Sequence, residues 1–377
     1  MVTLAVRIDE SGSVENVSIA SPLDPQLDEL ASSAVRSWRY QSGHFGGRAY
    51  STTIFESIPF GSVILAGIPQ PLSPQFAVPA GLAAARDGSI YVSDASRSLI
   101  YKVAADGRSM TIFVGDGADD FGGDGGTALS AHLNRPYGMA VDALGNVYVA
   151  DAGNSRIRKI TPVGIISTVA GNGVEGWSGD GGPAASAALN KPLGVAIDGA
   201  GTLYIADTGN SRVRAVSPDG IIRTLAGTES GIPFDVAVDA SRNVYVADPQ
   251  NRRVRKIDAN GTVTTYLSNG PDITLGKGPS VRTEIVPFGL RFDANGTLYI
   301  ADANFFRVLK AQAGIPTAVN MSSIPVVLPS RVASDDRGNI FVADGVMGSV
   351  QKITANGSIS LFPAATVKPP LPSQPPR

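Results

Sequence analysis

One pentapeptide returns six times along the chain, and that recurrence limits the fold more than any other feature. It reads IYVSD ending at Asp94, VYVAD at Asp151, LYIAD at Asp207, VYVAD at Asp248, LYIAD at Asp302 and IFVAD at Asp344. A proline stands 15 residues before each aspartate, at Pro79, Pro136, Pro192, Pro233, Pro287 and Pro329. Successive aspartates are 41 to 57 residues apart, so variation in length is confined to one connection of a constant unit. Self-similarity at this period marks stacked supersecondary units that bury their apolar faces only against one another.

Each unit carries four runs of strand character. In the second copy they are YGMAVD (137–142), NVYVAD (146–151), RIRKIT (156–161) and GIISTVAG (164–171), separated by turn tetrapeptides. Alternation and β-branched content argue for strands, and the short Gly/Asn turns argue for hairpins. Four antiparallel strands repeated six times predict a mainly β fold, a six-bladed β-propeller over 61–364. A chain of 377 residues with 43 glycines and 26 prolines suits such an array of short strands. A Pro-rich tail, 365–377, is expected to stay disordered or extended.

The lines VYVADAGNSRIRKI (147–160), LYIADTGNSRVRAV (203–216) and VYVADPQNRRVRKI (244–257) resemble NHL repeats, and the likeness runs from about 62 to 364. It implies a six-bladed propeller, whose top face is expected to bind a protein or a small ligand. Unit one departs at Ala85, where other units have aspartate, and unit six departs at Gly345, Val346 and Met347. In four units an arginine follows the strand-end aspartate by five residues: Asp151/Arg156, Asp207/Arg212, Asp248/Arg253 and Asp302/Arg307. A short loop is expected to return each arginine to its aspartate, with Asn154, Asn210 or Asn251 holding the loop. Four copies speak for a structural lock rather than a site.

Residues 1–60 lie outside the repeat. They read as strand VTLAVRID, turn, strand VENVSIA, helix PQLDELASSAVRSWRY and strand YSTTIFESIPF, with Asp24 as N-cap before Pro25. The hairpin, the LD helix start, the AVRSWRY end and the closing IPF are similar to the C-terminal domain of TonB-type proteins. That resemblance implies a small α+β (β-β-α-β) domain of the bacterial periplasm that takes partner peptides by strand addition, with Tyr50 to Phe60 as the open edge. Residues 1–9 alternate like a strand and lack the charged start and apolar core of a signal peptide. The expected location is extracytoplasmic, in the periplasm or at the cell surface.

Charge excludes some partners. With 31 basic against 33 acidic residues there is no global attraction to nucleic acid or anionic membrane. No cysteine is present, which removes disulfides and thiolate metal sites and suits an extracytoplasmic protein. No apolar run approaches the roughly 20 residues needed to span a bilayer.

Candidate sites lie where the units disagree. The second residue after each proline is Gly81, Gly138, Gly194, Asp235, Gly289 and Arg331. Glycine is expected where backbones crowd an axis, so Asp235 and Arg331 break the rule. Arg291 stands where other units have Ala83, Ala140, Ala196, Ala237 and Ala333. With Glu229, Glu284, Phe234 and Phe288, these residues form a candidate ligand site at the channel mouth on the top face, against salt bridges that merely replace glycine packing. Two long insertions, 115–134 and 171–190, align Phe121 with Trp177 and Asp124 with Asp180. Asp116, Asp119, Asp120 and Asp124 make the first a weak candidate for calcium, against an ordered loop running into a short Ala-rich helix.

Catalysis has little to work with, since His44 and His132 are the only histidines. A zinc site of three histidines is impossible, and His132 is expected to be a solvent-facing loop residue. The reading is therefore a non-catalytic binding scaffold needing no cofactor. A metal-dependent hydrolase of the gluconolactonase or lactonase kind is the alternative, with Glu229, Asp235 and Glu284 imitating its axial carboxylates. RNA binding, as in some NHL proteins, ranks third, because the RIRK and RVRK strands are expected to be solvated or salt-bridged. Ring closure is open between SVILAG (62–67) and SISLF (358–362).

Overall fold

The computed structural model describes residues 75–227, 231–268, 285–303, 307–312, 314–319 and 328–364 in full, and the backbone of short strands elsewhere. The chain divides into two compact units, Met1–Ser73 and Pro74–Arg377.

In the first unit the described strands are β1 (Val2–Ile8), β2 (Val14–Ser21), β3 (Gly43–Phe45), β4 (Arg48–Tyr50) and β5 (Thr52–Ile58). They form an antiparallel sheet in the order β2-β1-β5, with β3 and β4 as a separate hairpin. Val6 of β1 faces Val17 on one side and Ile54 on the other. Among the described strands β5 is therefore an edge. The helix expected after Asp24 lies outside the described residues.

The second unit is a six-bladed propeller of four-stranded antiparallel blades, each built from consecutive strands. Blade two shows the plan: Pro136–Val141 is innermost, then Val147–Asp151 and Arg156–Ile160, with Ile166–Ala170 outermost. Alternating side chains of neighbouring blades meet in six apolar clusters, one per seam, such as Ala140, Ile157, Leu189 and Ile205 between blades two and three. No blade could bury its faces alone.

The turn between the first two strands is organised by the aspartate that ends the first. Asp142 accepts hydrogen bonds from the amides of Leu144 (2.9 Å) and Asn146 (2.8 Å), from Asn146 Nδ2 (2.7 Å) and from the Tyr148 hydroxyl (3.2 Å). Asp239 repeats this with Ser241, Asn243 and Tyr245. Blade one, with Ala85 at this position, uses Asp87 and Ser89 instead. The turn needs one left-handed residue, supplied by glycine at Gly145 (φ 83°) and by Arg242 (φ 64°) in blade four.

Burial pushes the Asp142 carboxyl up, but the bonds from Asn146, Leu144 and Tyr148 outweigh it and hold the group below its ordinary value. A depressed folded-state pKa stabilises above the unfolded value near 3.9 and is lost as pH falls through the acid range. Asp142→Asn is therefore expected to destabilise at pH 7 and to converge on the native protein near pH 2, as read by urea unfolding midpoints. A difference that persists unchanged at pH 2 would remove the carboxylate from the explanation.

Ile359–Leu361 completes blade six, while 62–67 lies outside the described residues. Among the described residues, side-chain packing and a few backbone bonds bring blade six to blade one. Phe76 meets Tyr101 with ring centroids 5.7 Å apart and Phe341 meets Phe362 at 4.9 Å, all in one buried cluster. Gln75 Nε2 donates to the Pro363 carbonyl (2.9 Å), and the Ala364 amide donates to Gly107 (2.9 Å).

Candidate functional site

The innermost strands enter on the face that carries the prolines and the insertions, called the top. There they come so close that side chains are excluded. A Cβ on Gly81 would lie 2.0 Å from the Tyr137 carbonyl oxygen, one on Gly138 2.7 Å from that of Leu193, and one on Gly289 2.8 Å from Arg331 Cα. Asp235 and Arg331 fill the two exceptional positions.

The Arg331 guanidinium crosses the axis. Its Nη1 donates to the carbonyls of Phe288 (2.9 Å) and Ser330 (3.0 Å), and its Nη2 to those of Leu193 (3.3 Å) and Phe234 (3.4 Å). One side chain thus ties blades three, four, five and six. Its Nε lies 3.9 Å from Asp235 Oδ2, which accepts from the Leu290 amide (3.0 Å). Asp235 and Arg331 are 6% and 5% exposed, and burial pushes the Asp235 carboxyl up while Arg331 opposes that rise. The Phe234 and Phe288 rings pack together at 5.1 Å. This is a plug.

Arg291 makes none of these bonds. Two residues past Gly289, or roughly 7 Å along a strand, it lines a cavity of about 380 Å3 of which Asp235 and Arg331 form one wall. That cavity extends to the turn aspartates Asp239, Asp293 and Asp335, away from the prolines. Of the group expected at the channel mouth, Asp235, Arg291 and Arg331 thus line one space, while Phe234 and Phe288 pack against each other outside that lining. Glu229 and Glu284 lie outside the described residues.

The four acids proposed for calcium are separated too. His132 Nε2 is 3.2 Å from Asp116 Oδ2 and its Nδ1 is 2.5 Å from Asp120 Oδ1, so His132 is bracketed by carboxylates rather than facing solvent alone. Asp124 binds Arg158 at 2.7 Å, and Asp119 is exposed. Among the described residues no three His, Asp or Glu side chains converge as a metal site. The Ala-rich segments form short 3-10 turns, Ala128–Ser130 and Ala184–Ser186.

The repeated lock also needs correction. Asp248 pairs with Arg253 (2.9 Å) and Asp302 with Arg307 (2.7 Å), but Asp151 pairs with Arg158 (3.2 Å) and Asp207 with Arg214 (3.5 Å). The insertions cause the switch. Asp124 and Asp180 close on Arg158 and Arg214, whose side chains are wholly buried, while Phe121 and Trp177 draw Arg156 and Arg212 outward. The Arg156 guanidinium sits 3.7 Å from the Phe121 ring centre, and that of Arg212 4.1 Å from Trp177. Both rings remain open to solvent, Phe121 41% and Trp177 50% exposed.

Each insertion also pairs with the outermost strand of the following blade. The amides of Gly125 and Gly181 donate to the carbonyls of Ile166 and Ile222, both at 2.8 Å. Arg156 Nη2 donates to Asn172 of the second insertion (2.7 Å), and Trp177 Nε1 to Thr224 Oγ1 (3.1 Å). The two insertions thereby become one ordered surface over blades two and three. Arg158 and Arg214 were missed as its anchors. The available signal was GDGG ahead of an Arg-x-Arg strand, present together only in units two and three.

The family model of the teneurin NHL domain matches residues 114–177 and 173–233, and that of the Gram-negative bacterial TonB protein C-terminus matches 1–61. Similar proteins include SUPPRESSOR OF QUENCHING 1 of Arabidopsis thaliana, 31% identical over 39% of this chain and 14% of that protein. Human teneurin-4 is 36% identical over 24% of this chain, and Drosophila melanogaster teneurin-m 32% over 40%. The chain spans only 4% and 5% of those two. Among solved structures, a gluconolactonase from Xanthomonas campestris matches with TM-score 0.55 at 16% identity, covering 77% of this chain and 88% of its own. A catalytically inactive virginiamycin B lyase from Staphylococcus aureus with quinupristin matches with TM-score 0.51 at 15% identity, over 78% and 86%. At such identities the likeness shows the fold alone. Residues 75–364 thus form a six-bladed β-propeller whose residues 114–233 match the NHL family model, in a chain whose first 61 residues match the TonB C-terminal model.

Proposed function

We propose that this chain is a binding protein of the bacterial cell envelope, in which the insertion face of the propeller takes a protein partner. The observation that carries the reading is the pair of solvent-open aromatic rings, Phe121 and Trp177, each backed by an arginine and hydrogen-bonded into one surface. Trp, Tyr and Arg dominate binding hot spots because they offer large contact area at low conformational cost. These rings are already immobilised, so a partner would lose little further entropy in covering them. Residues 1–60, with β5 as an edge strand, suit docking by strand addition in the periplasm. The hydrolase alternative draws support from fold likeness, but among the described residues no three His, Asp or Glu side chains are grouped so as to hold a metal ion.

The test is a Phe121→Ala/Trp177→Ala variant measured against a purified partner found by cross-linking in periplasmic extract. Hot-spot truncations of this kind are expected to weaken binding by about 10- to 100-fold with the melting temperature little changed. An unchanged dissociation constant would move the interface off this face.

A further inference from the structure

We propose that the axial cavity beyond the plug binds a small carboxylate whose remaining groups are hydroxyl or ammonium donors, with Arg291 as its anchor. This site is separate from the insertion face and does not depend on it.

Blade five alone departs from alanine at this position, since Ala83, Ala140, Ala196, Ala237 and Ala333 occupy it elsewhere. The fold therefore does not require an arginine here. Arg158, Arg214 and Arg331 each bind at least three protein oxygens. Arg291, by contrast, makes no hydrogen bond or ion pair from any of its nitrogens among the described residues, whereas in Arg158, Arg214 and Arg331 only the Nε goes without a hydrogen bond. Asp235 and Asp336 act on it only as charges at a distance. A guanidinium held in a cavity without a partner is a costly arrangement unless something else supplies the acceptors. Its planar fork matches a carboxylate with two parallel bonds.

The size and the rim narrow the class. About 380 Å3 falls at the small end of ligand pockets, which run from roughly 300 to 1,000 Å3. Asp239, Asp293, Asp335 and Asp336 line the same space, and the first three are held in place by turn amides. Asp239 is fully used by four donors, but Asp293 Oδ2 and the Asp336 carboxylate accept no hydrogen bond among the described residues, so the far end of an occupant is expected to donate to them. Their charge also disfavours phosphates and other multiply charged anions, while Arg291 disfavours a bare cation. A single carboxylate with donors attached satisfies both constraints, and α-amino acids and sugar acids share that chemistry.

The experiment is calorimetry and thermal unfolding of the full chain with two probe sets at up to about 10 mM, a range that still detects millimolar binding. One set is the α-amino acids. The other is gluconate, glucuronate and galacturonate, with the methyl ester or amide of each hit as its control. At least one acid is expected to bind and raise the melting temperature, with its ester about tenfold weaker or worse. The set that responds assigns the donor as ammonium or hydroxyl. Arg291→Ala installs the residue of the other blades, so it is expected to melt like the native protein and lose affinity at least tenfold, with Arg291→Lys intermediate. The proposal falls if no acid of either set binds, or if binding survives Arg291→Ala. It falls equally if Arg291→Ala melts far below the native chain, because the arginine would then be holding the fold.

Discussion

Arg158→Ala is expected to destabilise the propeller by about 3–5 kcal/mol, the loss usual when one partner of a buried ion pair is removed. Arg156→Ala, two residues earlier in the same strand, should cost about 1 kcal/mol or less. Arg158 is wholly buried and donates to Asp151, to Asp124 and to the carbonyls of His132 and Gly122. Without it Asp151, itself 0% exposed, keeps only the Asn134 amide and Asn154 Nδ2 as donors. Burial already pushes that carboxyl up, so losing the arginine adds directly to the cost of keeping it charged. Arg156 by contrast lies over a solvent-open ring, where water replaces much of what is lost. Denaturant midpoints of the two variants decide the matter. Equal losses would put the lock back at Arg156, and Arg214→Ala against Arg212→Ala repeats the comparison in blade three.

That contrast also shows what a repeat discloses and what it hides. Six copies of a strand pair with a constant proline-to-aspartate spacing are a statement about backbone, and backbone is what recurs in the blades. The glycines two positions past the prolines were legible for the same reason, since crowding at the axis acts on every unit alike. The choice between Arg156 and Arg158 was not. Both precede or follow an apolar residue at strand spacing, and the decision comes from Phe121 and Asp124, which reach blade two from the preceding connection. A local pattern cannot weigh a ring that arrives from 35 residues away. The position of Arg291 was lost in a similar way. The broken rule at Asp235, Arg291 and Arg331 was visible, but sequence counts irregularities without showing that Arg331 spends its guanidinium on carbonyls across the axis while Arg291, in the same cavity, makes no such bonds.

Whether Asp235 and Arg331 do more than replace glycine packing is answered by a double-mutant cycle with glycine, the residue of the other blades. Arg331→Gly alone is expected to cost about 3–5 kcal/mol, because Asp235 stays buried with its nearest cation gone and four carbonyl oxygens lose a donor. Asp235→Gly alone should cost less, about 1–3 kcal/mol, since Arg331 keeps those carbonyls. The double variant restores the common residue at both positions and should be more stable than Arg331→Gly, which requires a favourable coupling between the two side chains. A double variant that loses the full sum would mean that the arginine acts through the carbonyls alone and that the 3.9 Å approach to Asp235 carries no energy. Binding separates the two mouths in the same experiment. Removing the Arg331 guanidinium opens the axis but also takes one cation from the cavity wall, so an acid held by Arg291 should lose less affinity than with Arg291→Ala while exchanging faster, because both faces would then lead to it.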